Sequence, residues 1–198
     1  YGQTEDRELK KLVSKALLNK GVILGQQGIR DKAIEAFDAV AGLLGTADDA
    51  ECLERVAIAL VNKGVILGRQ GRPTEAIAVY NGVIKRFGGA QESVISEQVS
   101  KALHNKAFLL GCQGKIREEH AIYDEIVRRF ADAQDTELKK WVARALFNKG
   151  LSFGKQMNRE EANAAYDEII ARFGAEDDFD LQEYVGKARF NKGVSYHF

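Results

Sequence analysis

Apolar residues recur along this chain at spacings of three and four. Leu9, Leu12, Val13, Ala16, Leu17 and Leu24 fall on one side of a helical wheel, which predicts a long helix over about Thr4 to Gln27. Gly28 breaks the pattern. Ala33, Ile34, Phe37, Val40 and Ala41 then share one face of a second helix, about Asp31 to Leu44, closed by Gly45. The short polar run Thr46-Ala47-Asp48-Asp49 suits the start of a further helix. Nothing reads as a strand.

The same two-helix pattern returns at a fixed period. Asn-Lys-Gly occurs at Asn19, Asn62, Asn148 and Asn191, and Asn-Lys-Ala at Asn105, so successive asparagines stand 43 residues apart. A constant period of this size marks an array of one supersecondary unit. Fourteen residues past the asparagine stand Ala33, Ala76 and Ala162, with Glu119 breaking the series in the third unit. Four further on come Phe37, Tyr80, Tyr123 and Tyr166. Gly28, Gly71 and Gly114 end the first helices nine residues past their asparagines; in unit four Asn158, one residue later, is the expected breaker. Pro73 falls in the first turn of the fourth helix, where its missing N–H costs little. Gly45, Gly88 and Gly174 close second helices. The units are approximately 4–45, 46–88, 89–131 and 132–174, followed by a terminal half-unit, 175–198, holding one helix from about Asp177 to His197. All of them belong to a single array.

The segments Asn62-Lys63-Gly64 through Arg72-Pro73-Thr74-Glu75-Ala76-Ile77-Ala78-Val79-Tyr80 and Asn148 through Tyr166 resemble the tetratricopeptide repeat. The small residues Gly64, Gly71 and Ala76 alternate with Leu67, Ile77 and Tyr80 as they do in that family, and the likeness covers nearly the whole chain. It departs in two ways. Each unit carries nine extra residues, which lengthen the first helix by about two turns, in a bacterial-type variant of the repeat. The proline that usually follows the second helix is replaced by Phe-Gly or Phe-Ala. The resemblance implies an all-α, right-handed superhelical solenoid of antiparallel helix pairs, four pairs plus a terminal helix. It also implies that the first helices line a concave groove and that the chain is a scaffold for protein partners. Gly21, Gly64, Ala107, Gly150 and Gly193 are then small because two helices approach closely there.

Composition narrows the function classes. The 198 residues carry 29 Lys and Arg against 29 Asp and Glu, a formal net charge of zero, so the basic excess of a nucleic-acid binder is missing. The longest uncharged apolar run is Val56 to Val61, far short of a membrane span. No signal-peptide pattern opens the chain, and Cys52 and Cys112 make no disulfide framework, so reduced thiols and a cytoplasmic location are expected. No phosphate loop or dinucleotide fingerprint is present, and His104, His120 and His197 lie in different units without metal spacing. No enzyme activity and no cofactor are expected. Asp48-Asp49, Glu118-Glu119 and Glu176-Asp177-Asp178 read as solvated helix starts.

The candidate site lies on the first helices. Lys101, Arg144 and Lys187 stand four residues before Asn105, Asn148 and Asn191, and such a pair shares one helix face. His104, Phe147 and Phe190 immediately precede those asparagines; Phe108 and Leu151 follow three residues on. Asn amides can bond a peptide backbone, and Arg or Lys can hold a carboxylate. The pairs Lys101–Asn105 and Arg144–Asn148 resemble the carboxylate-binding residues of the chaperone-adaptor members of the family. A structural role for the repeated asparagines stands beside this one, because a residue present in every unit serves every unit. Likewise the aromatic residues form either a peptide pocket or contacts between repeats. Lys20, Lys63, Lys106, Lys149 and Lys192 sit amid apolar positions, with Asp38, Asp124 and Asp167 as plausible partners. Binding of an extended peptide or partner helix in the groove is the first expectation. A regulatory or sensor array of a larger multidomain signalling protein is the alternative, suggested by a start without Met and an end at Phe198. RNA binding is remote. The last helix is expected to expose Leu181, Tyr184, Val185 and Ala188, an apolar face suited to self-association.

Overall fold

The computed structural model describes residues 2–47, 49–90 and 92–194. Among them are nine α-helices and no strand: α1 (Gly2–Gln26), α2 (Arg30–Leu44), α3 (Ala50–Arg69), α4 (Pro73–Phe87), α5 (Ser93–Cys112), α6 (Ile116–Arg129), α7 (Thr136–Lys155), α8 (Arg159–Phe173) and α9 (Phe179–Val194). The fold is an all-α repeat of long first helices alternating with shorter second ones. Asp48 and the expected helix end at His197 lie outside the described residues.

Local chemistry sets the helix ends. Gly28, Gly71 and Gly114 take φ of 78°, 73° and 73°, the left-handed conformation expected of them. In the fourth unit the expectation was Asn158, yet Met157 holds that conformation, with φ 62°, because the turn needs it nine residues past the asparagine whatever residue stands there. Gly45, Gly88 and Gly174 are C-caps in right-handed conformation, so they do not supply the left-handed cap that glycine usually provides. Asp49 caps α3 by accepting from the Cys52 amide at 3.1 Å, and Asp135 caps α7 by accepting from the Glu137 and Leu138 amides at 2.9 and 3.2 Å. The Arg7 guanidinium and the Cys52 amide hold the Asp49 carboxyl well below the usual carboxylate range. Pro73 opens α4 as expected.

The chain divides into two compact units, Tyr1–Leu109 and Leu110–Phe198. In the first, α2 packs between α1 and α3, and α4 packs on α3. Gly21 and Gly64 lie under aromatic rings: a Cβ on Gly21 would stand 2.6 Å from Phe37 Cε1, and one on Gly64 would stand 2.4 Å from Tyr80 Cε1. The glycines are therefore small to admit a ring from the following helix, which refines the close helix approach read from sequence. In the second unit, α7 packs against α6, α8 and α9, and Gly150 accepts Tyr166 in the same way, at 2.6 Å. Val142, Leu146, Tyr166, Ile169, Leu181 and Val185 belong to one buried cluster. Fully burying a side chain such as Ile169 contributes roughly 1.5–3 kcal/mol relative to leaving it in water.

That cluster corrects one expectation. Leu181, Val185 and Ala188 are not exposed but fully buried, because α9 turns this face onto α7 and α8 as the first helix of a following repeat would. Tyr184 is partly buried against the same cluster. Among the described residues, the large apolar side chains that α9 exposes are instead Phe179 and Phe190.

Candidate functional site

Lys63, Lys149 and Lys192 find the partners that their spacing suggested. Lys63 on α3 pairs with Asp38 on α2, Lys149 on α7 with Asp124 on α6, and Lys192 on α9 with Asp167 on α8, each at 2.5 Å. Every pair joins a first helix to the second helix before it. The lysine stems are mostly covered while the ammonium groups reach the edge of the interface.

The repeated asparagines Asn105 and Asn191 are engaged within the fold. The side chain of Asn105 hydrogen-bonds Tyr80, and that of Asn191 hydrogen-bonds Tyr166. Burial pushes the Tyr80 hydroxyl up to about 12 and raises Tyr166 as well; the asparagine bonds oppose that rise. These contacts again tie a first helix to the preceding second helix. Asn148 is half-buried on α7.

The remaining candidate residues are distributed over both units. In the first, Lys101 pairs with Glu97 at 2.8 Å, His104 is half-buried, and Phe108 is exposed. In the second, Arg144 is exposed, donates from Nε to the Tyr184 hydroxyl at 2.9 Å, and stacks on Trp141 with Cζ 4.6 Å from the ring centre. Phe147 lies half-buried between Tyr166 and Tyr184, with ring centres at 6.0 and 5.9 Å. Lys187 pairs with Glu183 at 2.5 Å and lies 5.4 Å above the Tyr184 ring. Leu151 is exposed on α7 and Phe190 on α9, the latter at 71%. The second unit thus brings Arg144, Phe147 and Lys187 around one tyrosine, where α7 meets α9.

A polar network escaped the sequence reading. Glu119 is not a solvated helix start; it is 8% exposed and buried between helices. Ser152 Oγ on α7 donates to Glu119 Oε2 at 2.9 Å and lies 2.9 Å from His120 Nε2. Tyr123 also bonds Glu119, and burial with the adjacent carboxylate pushes its hydroxyl far up. His120 stacks on Phe153 with ring centres 4.1 Å apart, and burial lowers its pKa while Glu119 opposes that shift. Glu119 fits because Gly111 leaves room: a Cβ there would stand 2.7 Å from the carboxyl carbon. The signal in the sequence was the break in the alanine series at Glu119. No regular spacing linked it to Ser152, 33 residues on.

Among the described residues no group of three or more His, Cys, Asp and Glu side chains is placed to hold a metal ion, and no helix is long and apolar enough to cross a membrane. Cys52 is buried with its thiol pushed up to about 11 by desolvation, whereas Cys112 is exposed.

Repeated helix pairs, glycine slots under aromatic rings and lysine–aspartate ties between successive helices define a helical-repeat array. Two models of the tetratricopeptide repeat match it, one over residues 18–90 and the other over residues 144–174. The chain belongs to the tetratricopeptide repeat family. No curated protein matches it. Two solved structures share the fold. A tetratricopeptide repeat protein from Parabacteroides merdae ATCC 43184 superposes with a TM-score of 0.61 at 19% identity, covering 93% of this chain and 63% of that one. A Podosopora anserina protein of nearly identical TPR-like repeats gives 0.62 at 14% identity, covering 92% and 88%. This chain therefore spans 63% of the Parabacteroides protein's length.

Proposed function

We propose that this chain binds an extended peptide or a partner helix along its first helices, and that α7 and α9 supply the main contacts. The observation that carries the reading is the surface around Tyr184. Exposed apolar side chains, Leu151 and Phe190, stand on the same two helices as the basic Arg144 and Lys187. Arg144 spends only Nε on Tyr184, which leaves its terminal nitrogens for a ligand carboxylate. Phe190 offers an aromatic anchor of the type on which binding energy concentrates. The ligand chemistry this favours is an acidic segment with an apolar side chain beside the carboxylate. Asn105 and Asn191, already bonded to tyrosines, serve the fold first.

The test is capture of partners from host lysate by the wild-type chain and by Arg144→Ala/Phe190→Ala. Both residues are exposed, so the double variant keeps the wild-type melting profile. A partner bound by the wild type is expected to lose tenfold or more in affinity, since about 1.4 kcal/mol already gives that factor. Undiminished capture of every partner by the double variant would remove the site from α7 and α9.

A further inference from the structure

The repeat shows what the junction between a second helix and the next first helix can hold. Where α2 meets α3, Ala33, Ile66 and Leu67 are buried, and Gln70 Nε2 donates to Asp31 Oδ1 at 2.8 Å from one turn to the other. Where α6 meets α7, the same register carries Glu119, Ser152 and Phe153, with Arg117 in place of Asp31 and Gln156 in place of Gln70. Polar groups replace the aliphatic floor, since Ser152 bonds both Glu119 and His120. Gln156 spends its Nε2 on the Ser152 carbonyl of its own helix, at 3.0 Å, instead of reaching across the junction.

A cleft of about 560 Å³ opens there. Lys115 and Arg117 line it from the start of α6, and Gln156 and Asn158 from the turn after α7. Ile116, His120 and Phe153 line it as well, and Glu118 contributes a carboxylate. Among the described residues no carboxylate pairs with Lys115 or Arg117. Arg117 is the second residue of α6, where α2 and α8 carry Asp31 and Glu160. A cation at that position opposes the helix dipole. Lys115 supplies no side-chain cap, so the amides of the first turn remain open donors. A bound anion relieves both costs.

We propose that this cleft binds a small organic anion, with its carboxylate or phosphate held by Arg117 and Lys115 and its apolar body against Ile116 and Phe153. The volume is that of a small-molecule pocket and exceeds what a bare ion fills. The Arg117 guanidinium can take either oxyanion through two parallel bonds, and the Asn158 amide adds a donor. His120 couples the cleft to the buried network. Glu119 and Asp124 favour its charged form, while burial and Lys149 oppose it; Lys115, Arg117 and Glu118 are the other charged groups of the cleft. An anion bound there favours the imidazolium, so protonation of His120 and ligand binding reinforce each other. None of these residues belongs to the α7 and α9 surface proposed above.

The probes are phenyl phosphate, benzoate and inorganic phosphate, titrated into the intact chain while the His120 imidazole resonances are followed by NMR. A saturable shift is expected with phenyl phosphate or benzoate, and whichever binds tighter names the oxyanion. Arg117→Asp, which restores the acid of the first unit at an exposed position, should weaken binding tenfold or more. Benzoate keeps its charge between about pH 7.5 and about pH 5.5, so its affinity should rise as pH falls through that window. His120→Asn, read by calorimetry, should flatten the rise; melting curves confirm that both variants remain folded. Arg144→Ala/Phe190→Ala should leave the affinity unchanged, which separates failure here from failure of the α7 and α9 site. The absence of a saturable shift with either organic probe overturns the proposal, as does binding indifferent to Arg117→Asp. Inorganic phosphate binding as tightly as phenyl phosphate overturns it too, since the apolar wall would then contribute nothing. A rise in benzoate affinity that persists in His120→Asn overturns the coupling to the buried network.

Discussion

Fourteen residues past the repeated asparagine, α6 carries Glu119 where α2, α4 and α8 carry alanine; nine residues past it, the turn after α7 carries Met157 where three other turns carry glycine. Both residues violate the repeat, and the surroundings treat them differently. Around Glu119 the molecule is rebuilt. Ser152 donates to the carboxylate, Tyr123 adds a second bond, and Gly111 clears the volume that the longer side chain needs. Around Met157 nothing is rebuilt. The residue keeps the left-handed backbone that glycine adopts elsewhere, and its side chain is 86% exposed. A departure inside the core must be compensated, because an unpaired buried carboxylate costs far more than a strained turn. A departure at the surface can simply persist as strain.

Four substitutions sharpen this contrast. The undisturbed repeat sets the scale: Gly64→Leu drives a side chain into the Tyr80 ring, where even a Cβ would lie 2.4 Å from Cε1. A loss of about 3 kcal/mol is expected in urea unfolding, at the upper end for overpacking. Ser152→Ala comes next. It takes one donor from a buried carboxylate, and a loss of about 2 kcal/mol is expected. Adding Glu119→Ala, which restores the alanine of the other units, should make the pair cost less than the sum of the single changes. Strict additivity in that double-mutant cycle would mean that Ser152 does not compensate Glu119. Met157→Gly should act in the opposite direction, stabilising by about 1 kcal/mol as the left-handed penalty is relieved. An unchanged denaturation midpoint would show that this turn stores no strain.

The periodic part of the architecture was legible because repetition amplifies weak local signals. Five asparagines at one spacing fixed the helix pairs, and the lysine–aspartate ties followed from helix register alone, since each sits at the same place in successive helices. The same reasoning failed wherever one unit acts alone. Glu119 was visible as a break in a series, yet its burial depends on Ser152 and Gly111 from neighbouring helices, which a helical wheel cannot bring together. The face of α9 differs from its expectation for a related reason. Sequence spacing assigns Leu181, Val185 and Ala188 to a helix that follows, whereas in this register they face the pair that precedes. Periodicity identifies the apolar stripe but does not say which neighbour covers it. For the candidate site, sequence placed Arg144, Phe147 and Lys187 on related helix positions. That they gather around Tyr184 depends on how α7 and α9 cross.

The smallest expected effect asks whether the compensation around Glu119 holds when the proton balance changes. Because Ser152 Oγ donates to Glu119, its contact with His120 Nε2 requires the imidazole to donate, which the neutral Nε2–H tautomer does. Burial pulls the His120 pKa below the ordinary 6.5; Glu119 and Asp124 oppose that shift, and Lys149 reinforces it. With a folded value below the unfolded one, the unfolded chain takes up the proton first as pH falls, so stability declines on acidification through that window and is regained above it. Urea melts at about pH 7.5 and about pH 5.5 bracket the titration. His120→Asn, the residue that α8 carries at the equivalent Asn163, removes the titrating group. Its pH dependence should therefore be flatter than that of the wild type, and the difference between the two melts isolates His120 from the other titrating groups. Equal slopes would mean that the imidazole titrates alike in both states. The network around Glu119 would then be indifferent to the charge of its outermost member.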